Sequence, residues 1–268
     1  MQAAQSRFSP RYLVVLLLIL ATGSVPAKGG DIYVGASASA DRLNVLYEKI
    51  VDNTDPRNFS LSQGQQLRAE DSATELTYSY GFLAGYKMPL SVTGLYVALE
   101  GDMLRHGGVT LGRLAGSGTS AGRNQLGEVW PEDWSLEKES SYGLTARAGA
   151  GIPLIGTWVG PSIYGLVGVR RLKASFGSEY TGCATETACT EPDQFVSGSD
   201  NFSESFSGWT VGGGVEKKLG SLAIRGELRF TDYSKAGRVI PFEDLFVSVP
   251  LELDPDSISF GVSLLWYF

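Results

Sequence analysis

The sequence has few of the side chains that metal and catalytic sites use most often. Among its 268 residues are two cysteines and one histidine, and 29 acidic residues outnumber 22 basic ones, for a net charge of -7. This charge excludes a nucleic-acid partner, because phosphate binding requires a basic surface. Two cysteines without a nearby histidine are also a poor set of zinc ligands, so we expect no metal and no cofactor.

Long hydrophobic runs are also missing. The longest, Tyr12 to Ala21, is shorter than the ~20 apolar residues of a membrane-spanning helix. It follows Arg7 and Arg11 and precedes the small residues Val25 and Ala27. This pattern predicts a cleaved secretory signal over residues 1–27 and one mature domain over 28–268. A membrane-embedded mature chain would then have to be a closed barrel, because only helices and closed barrels satisfy every backbone group in lipid.

Low charge and abundant glycine favour a β-rich protein: 19% of residues are charged and 34 are glycine. Eight segments alternate apolar and small or polar residues over about the ~10 residues of a tilted transmembrane strand. They cover residues 31–40, 76–88, 94–104, 141–152, 158–172, 208–219, 222–233 and 257–268. The sequence therefore predicts an all-β fold, an eight-stranded antiparallel transmembrane up-and-down β-barrel.

The connections between these segments alternate in length. Three are short turns at 89–93, 153–157 and 220–221, and four are long loops at 41–75, 105–140, 173–207 and 234–256. Short periplasmic turns and long extracellular loops are typical of outer-membrane barrels. We therefore expect both termini in the periplasm.

The two faces of the predicted strands differ in chemistry. One face is apolar, with aromatic residues near strand ends, as two interfacial girdles would require. The other carries four acids and four bases, which are Glu100, Asp102, Arg147, Arg170, Glu216, Arg225, Glu227 and Arg229. Enclosed charges must pair, so we expect a salt-bridge network that fills the lumen. A proton or ion path through the lumen is the alternative. A soluble binding barrel would place the apolar face inside.

The segments IYVGASASA, SYGFLAGYKMP, GWTVGGGVEKKLG, LAIRGELRFTDYS and the final SISFGVSLLWYF resemble OmpA-like eight-stranded outer-membrane barrels, the porin-family and immunogenic surface proteins of Gram-negative bacteria. The resemblance covers nearly all of residues 31–268. It implies a monomer inserted by the outer-membrane assembly machinery, in contact with outer-membrane lipid and lipopolysaccharide. It also implies an insertion signal in the last strand, formed by Phe260, Val262, Leu264, Trp266 and Phe268.

The third long loop contains both cysteines. In an oxidising compartment Cys183 and Cys189 are expected to form a disulfide. The loop has six acids and no base between residues 177 and 206, so it is either a solvated acidic loop or a divalent-cation site that bridges to lipopolysaccharide.

Residue His106 follows the third strand in LRHGG and is expected at the extracellular edge, with Asp102 deeper on the same face. No Gly-x-Ser-x-Gly elbow is present. We therefore predict no catalysis, with an outer-membrane lipid hydrolase as the alternative.

Two further segments keep alternatives open. Residues 41–53 can form either an amphipathic helix or an extension of the first strand above the bilayer. Residues 239–253 are unusually apolar for a loop and would cover the barrel mouth, touch lipid or contact a partner.

The predicted function is an outer-membrane barrel of structural or surface-interaction type, able to meet an extracellular ligand or host surface. The alternatives are a narrow channel for ions or small solutes, a lipid-modifying enzyme and a soluble periplasmic binding barrel.

Overall fold

The structure, a computed structural model, describes residues 29–90, 94–118, 125, 127–152, 160–183, 185 and 188–268. The predicted signal segment and most of the turns at 89–93 and 153–157 lie outside these residues. The strands are β1 Asp31–Asp52, β2 Gln66–Pro89, β3 Leu95–Gly107, β4 Val109–Leu114, β5 Glu132–Gly151, β6 Ser162–Cys183, β7 Phe195–Leu219, β8 Leu222–Tyr233, β9 Ala236–Phe242 and β10 Val247–Tyr267. Short 3₁₀ turns occupy Pro192–Gln194 and Glu243–Leu245.

The strands form a closed antiparallel ring. A path through β1, β2, β3, β5, β6, β7, β8 and β10 returns to β1, because β10 pairs with β1 from Tyr33↔Tyr267 upward. The predicted all-β antiparallel ring is confirmed, with ten strands where eight were expected. At two positions in the ring, a long strand is interrupted and divided into two shorter strands. Gly108, at φ +97°, separates β3 from β4, and Ser234 and Lys235 separate β8 from β9.

Two sections of the ring differ in their pairing. We define the lower section as residues 29–41, 78–107, 141–170, 208–233 and 257–268, and the upper section as 42–77, 108–140, 171–207 and 234–256. Pairing of β2 with β3 ends at Tyr78↔Gly107, and pairing of β7 with β8 ends at Gly208↔Tyr233. Above these points β4 pairs with β5, and β9 pairs with β10. The upper section therefore consists of two four-stranded sheets, β4-β5-β6-β7 and β2-β1-β10-β9.

The polarity of the strands inverts at the boundary between the sections. On β1 the inward side chains change from Ser37, Ser39 and Asp41 below the boundary to Leu43 and Val45 above it. The outward side chains, which alternate with the inward ones along each strand, change from apolar below the boundary to polar above it. The apolar face thus points outward in the lower section and inward in the upper section.

The outward residues of β1 and β10 show the opposite change. Below the boundary they include the exposed Ile32 and Val34 of β1. Above it β1 turns Arg42 and Asn44 outward, and β10 has Asp256 at the corresponding position. The lower section thus has an apolar outer wall, whereas the upper section has a polar one.

The apolar residues of the upper section form its core. Tyr47 of one sheet contacts Trp134 and Phe176 of the other, with ring centroids 5.6 and 5.1 Å apart. The buried cluster also includes Tyr233, the last residue of the lower section on β8, and the upper-section residues Leu43, Val45, Val51, Leu114, Val129, Leu136, Leu172, Ala174, Phe206, Val247, Val249, Leu251 and Leu253. Full burial of one such side chain contributes about 1.5–3 kcal/mol, which explains why the strands continue beyond the lower section.

The prediction of four long loops is wrong over most of their length. Strands β1, β2, β5, β6, β7 and β10 extend through the segments expected as loops, and β4 and β9 lie wholly inside them. Of the two options for residues 41–53, the structure has the strand extension, because β1 runs to Asp52. The apolar segment 239–253 supplies Val247, Val249, Leu251 and Leu253 to the upper core.

A search for long apolar helices among the described residues finds none that could cross a membrane.

Candidate functional site: the lumen and its upper boundary

The eight charged residues predicted for the lumen all point into the ring. They come from five strands: Glu100 and Asp102 from β3, Arg147 from β5, Arg170 from β6, Glu216 from β7, and Arg225, Glu227 and Arg229 from β8. The side chains of seven are at most 6% exposed, and that of Arg229 is 14% exposed. Charges enclosed to this degree require close partners.

The lower part of this set is centred on Glu100. Its carboxylate pairs with Arg147 and lies 2.5 Å from Nη1 of Arg225. Tyr33 donates a hydrogen bond of 2.9 Å to the same carboxylate oxygen. Arg147 also pairs with Glu227 at 2.8 Å, so β3, β5 and β8 are linked across the lumen.

The upper part is centred on Asp102. Nη2 of Arg170 lies 2.7 Å from both carboxylate oxygens of Asp102, and Nη1 of Arg229 lies 3.1 Å from one of them. Arg229 also pairs with Glu227, which joins the two parts. Every one of the eight residues has at least one opposite charge within 4 Å in the structure.

Sequence reasoning missed three partners of the lumen carboxylates Glu216 and Glu227. Lys87 Nζ lies 2.8 Å from one of its carboxylate oxygens, and the hydroxyl of Tyr267 donates to the same oxygen at 2.7 Å. Tyr164 likewise donates to Glu227 at 2.7 Å. The strand alternation could have identified all three, since each has the inward parity of its strand.

The single histidine lies at the boundary between the sections. Nε2 of His106 is 2.8 Å from Oγ of Ser141, and Nδ1 is 3.3 Å from Oδ2 of Asp41. Lys138 Nζ lies 3.2 Å from the same Asp41 oxygen. The expected neighbour Asp102 instead pairs with Arg170 and Arg229. Asp41, Lys138 and Ser141 were missed because they lie 35 to 97 residues from their partners in the chain.

Aspartate, histidine and serine in this order have the arrangement of a nucleophilic triad. Two observations oppose that role. Ser141 is fully buried, and its oxygen accepts a hydrogen bond of 2.8 Å from Nη1 of Arg170. The adjoining cavity, which Ser39, His106 and Ser141 help to line, measures about 50 Å³. It has room for a few water molecules but not for an ester substrate.

A second buried ion pair lies within the upper section. Lys49 pairs with Glu132, and Tyr47 donates to Glu132 at 2.8 Å. Burial, followed by the charge of Glu132, raises the pKa of Tyr47, so this phenol stays protonated at neutral pH. Burial also raises the pKa of the nearby Asp200, an effect that Lys49 partly offsets. Lys49 thus lies between the core residues Tyr47 and Val51 of β1.

The two cysteines form a disulfide, with Cα atoms 5.8 Å apart, that joins the last residue of β6 to the following loop. The surrounding acids include Glu179, Glu191, Asp193, Asp200 and Glu204, whereas Glu186 lies outside the described residues. Over the described part of the chain, no group of three or more histidine, cysteine or acidic side chains could hold a metal ion.

The residues expected to form the insertion signal lie on the outward face of β10 and just after it. Phe260, Val262, Leu264, Trp266 and Phe268 are all exposed, and Phe268 is the most exposed at 74%. The backbone N–H of Phe268 donates to the carbonyl of Ile32 at 2.9 Å, which closes the ring at its lower end.

A family model agrees with this architecture. The family model of the outer membrane protein beta-barrel domain matches residues 13–268. Among solved structures, Ail, the attachment invasion locus protein of Yersinia pestis, matches in two forms, one of them in complex with the heparin analogue sucrose octasulfate. The identities are 12% and 13%, 90% of this chain and 100% of Ail are covered, and the TM-score is 0.38 in both cases.

The translocator domain of the autotransporter NalP from Neisseria meningitidis matches at 12% identity over 96% of each chain, with a TM-score of 0.27. A comparison with curated proteins found no match. The family model spans nearly the whole chain, and we conclude from it that the chain belongs to the outer membrane protein beta-barrel domain family.

Proposed function

We propose that the protein is a closed, non-catalytic barrel of the outer membrane that carries an acidic interaction surface outside the cell. The observation that carries this proposal is the inversion of polarity along the strands. An apolar outer wall suits hydrocarbon, and a polar outer wall suits water. The eight strands of the lower section would therefore span the membrane, and the upper section would stand clear of it.

The orientation follows from the connections. The two-residue turn between β7 and β8, the start of β1 at Asp31 and the end of β10 at Tyr267 lie at the bottom of the lower section. Short turns mark the periplasmic side of such barrels. The upper section, with its disulfide, then faces the exterior, and the contacts with lipid and lipopolysaccharide are made by the outer wall below it.

The upper section is strongly acidic. Its four segments contain 22 acidic and 11 basic residues, a net charge of -11. Such a surface attracts cationic ligands or cationic host surfaces and repels anionic ones. Because the interior of this section is apolar and packed, binding would take place on its outer faces and edges.

A closed lumen is favoured over a channel. The salt-bridge network crosses the lower section beside the small cavity near His106, and the core around Tyr47, Phe176 and Leu253 covers it from above. Water and ions would have to pass both the paired charges and this apolar core.

Planar-bilayer recordings test this closure. The wild-type protein is expected to produce no reproducible conductance steps at either polarity. Replacing Tyr47 and Leu253 together by alanine removes part of the cover and should increase leak current, whereas Phe260→Ala on the outer wall should not. Steady steps of uniform size in the wild-type protein would favour the channel instead.

The lumen network should stabilise the barrel mainly because its charges are mutually paired. Arg170→Met leaves Asp102 with fewer partners and should reduce the free energy of unfolding by about 3–5 kcal/mol. Lys235→Met breaks an exposed pair with Glu252 and should cost only about 0–1 kcal/mol. Urea unfolding in detergent micelles measures both values. Equal, small losses in the two variants would show that the lumen is solvated and not a closed network.

Labelling with a serine-directed probe distinguishes a non-catalytic barrel from a serine hydrolase. A fluorophosphonate probe should not label Ser141 in the folded protein, because the hydroxyl is buried and bonded to Arg170. Ser141→Ala and His106→Ala should leave the lipid profile of the outer membrane unchanged. Labelling that Ser141→Ala and His106→Ala both abolish would instead assign a hydrolase.

Recognition by the assembly machinery is expected to depend on the last residue. Phe268→Ser keeps the backbone hydrogen bond to Ile32, so the refolded barrel should unfold at nearly the same urea concentration. Its level in the outer membrane of growing cells should nevertheless fall several-fold. Phe242→Ser, in the upper section, is the matched control and should reach the membrane normally. Unchanged levels of the Phe268 variant would contradict this role.

A further inference from the structure

Strand β7 has one unpaired edge in the upper section. It pairs with β6 along nearly its whole length, from Cys183↔Phe195 to Ser162↔Glu216, but with β8 only from Gly208 to Leu219. Over residues 195–206, no described strand pairs with the second edge. This edge is about twelve residues long, enough to accept a full additional strand.

The backbone groups on that edge can be identified. The N–H of Ser234 donates to the carbonyl of Ser207 at 2.7 Å, so Ser207 faces the side where β8 lies. Successive residues of a strand alternate in direction. The N–H and C=O groups of Ser199, Asn201, Ser203 and Ser205 therefore face the same open side, above the point where β8 ends.

The neighbouring strand β9 does not occupy this edge. It pairs with β10. Across the seam, Arg238 lies over the ring of Phe202, 5.1 Å from its centroid, which is a contact between side chains and not a strand pairing. The opposite seam, between β2 and β4, is closed by polar bonds, since Asp71 accepts from the backbone of Arg113 and from Trp134, both at 2.8 Å.

The edge strand itself contains none of the residues that usually protect against pairing, and Arg238 of β9 contacts it only at Phe202. Residues 195–206, FVSGSDNFSESF, contain no proline, lysine or arginine. Natural sheets commonly protect a free edge with such residues or with a bulge, because unpaired backbone groups attract other strands. The outward side chains of this strand, which alternate with the side chains in the core, are mainly serines. They leave room for the side chains of an added strand.

Charge indicates what kind of strand would fit. Between residues 177 and 206 the chain has six acids and no base. On the outer face, Glu179 lies opposite Ser199 in the β6–β7 register. Lysine or arginine in an added strand would therefore be attracted by the negative potential of this acidic segment and of the upper section as a whole.

We propose that the open edge of β7 binds an extended, cationic peptide segment of an external protein by antiparallel strand addition. Main-chain hydrogen bonds would supply affinity, and the surrounding acids would select for basic residues. The inference rests on the proposed exposure of the upper section outside the cell.

A second copy of the chain in the same membrane fits this edge less well. All copies insert in one direction, so two β7 edges that met side by side would run parallel. Every pairing in this structure is antiparallel, and a flexible external segment can adopt that direction freely.

The test uses purified barrel in detergent micelles and a fluorescein-labelled nine-residue peptide that alternates lysine with threonine or valine. Fluorescence anisotropy should show saturable binding that weakens with salt. Ser203→Pro removes one N–H from the edge and obstructs the added strand, so the affinity should fall about tenfold or more. Ser203→Thr keeps the N–H and should bind like the wild-type protein.

Two N-methylated peptides make the test independent of any effect of proline on folding. In an added strand only every second N–H bonds to the protein. Methylation of one alternate set should therefore abolish binding to the wild-type barrel, and methylation of the other set should not. Equal binding of both methylated peptides, or no saturable binding by folded barrel, would overturn the proposal. Neither result would bear on the closed lumen, which the conductance recordings test separately.

Discussion

The structure depends on one constraint, which follows from the proposed membrane position: the same strands pass from lipid into water. In lipid, strands must close into a ring and turn apolar side chains outward. In water, exposed apolar faces must be buried. The chain meets both demands without ending its strands, because the inward and outward sets exchange character at Asp41, Arg42 and Leu43 on β1. The corresponding exchange on β10 occurs at Asp256 and Ser257.

The inversion brings a polar lumen into contact with an apolar core. Charges at such a boundary lose solvent on one side, so they need partners on the other. The cluster of Asp41, His106, Lys138 and Ser141 meets this need, and Arg170 joins it to the Asp102 pair below. A triad-like arrangement thus arises as a consequence of satisfying buried polar groups. Its burial beneath the core around Tyr47 keeps the Ser141 hydroxyl away from solvent.

Much of the lower section could be predicted from the sequence, because strand alternation is a local signal. The inward charges Glu100, Arg147 and Arg225 were identified in this way, and their side chains are buried in the structure. The upper section was misread as loops, because its alternation has the opposite phase and its charged residues resemble those of solvated segments. The contacts of Asp41 with His106 and of Lys87 with Glu216 join distant parts of the chain. Such pairings depend on the register of the ring, which local patterns do not determine.

The change from a ring to two sheets accounts for the distribution of free edges. A ring needs no edge, but two facing four-stranded sheets have four. On one side, Asp71 joins the edges of β2 and β4 through hydrogen bonds. On the other side, Arg238 and Phe202 make only a side-chain contact, and β7 keeps its backbone groups unpaired. In the lower section such an edge would lie in hydrocarbon at a cost of several kcal/mol per unsatisfied group. In water the same groups are hydrated at little cost, so the upper section is the part of this barrel where a strand edge can remain open for a partner.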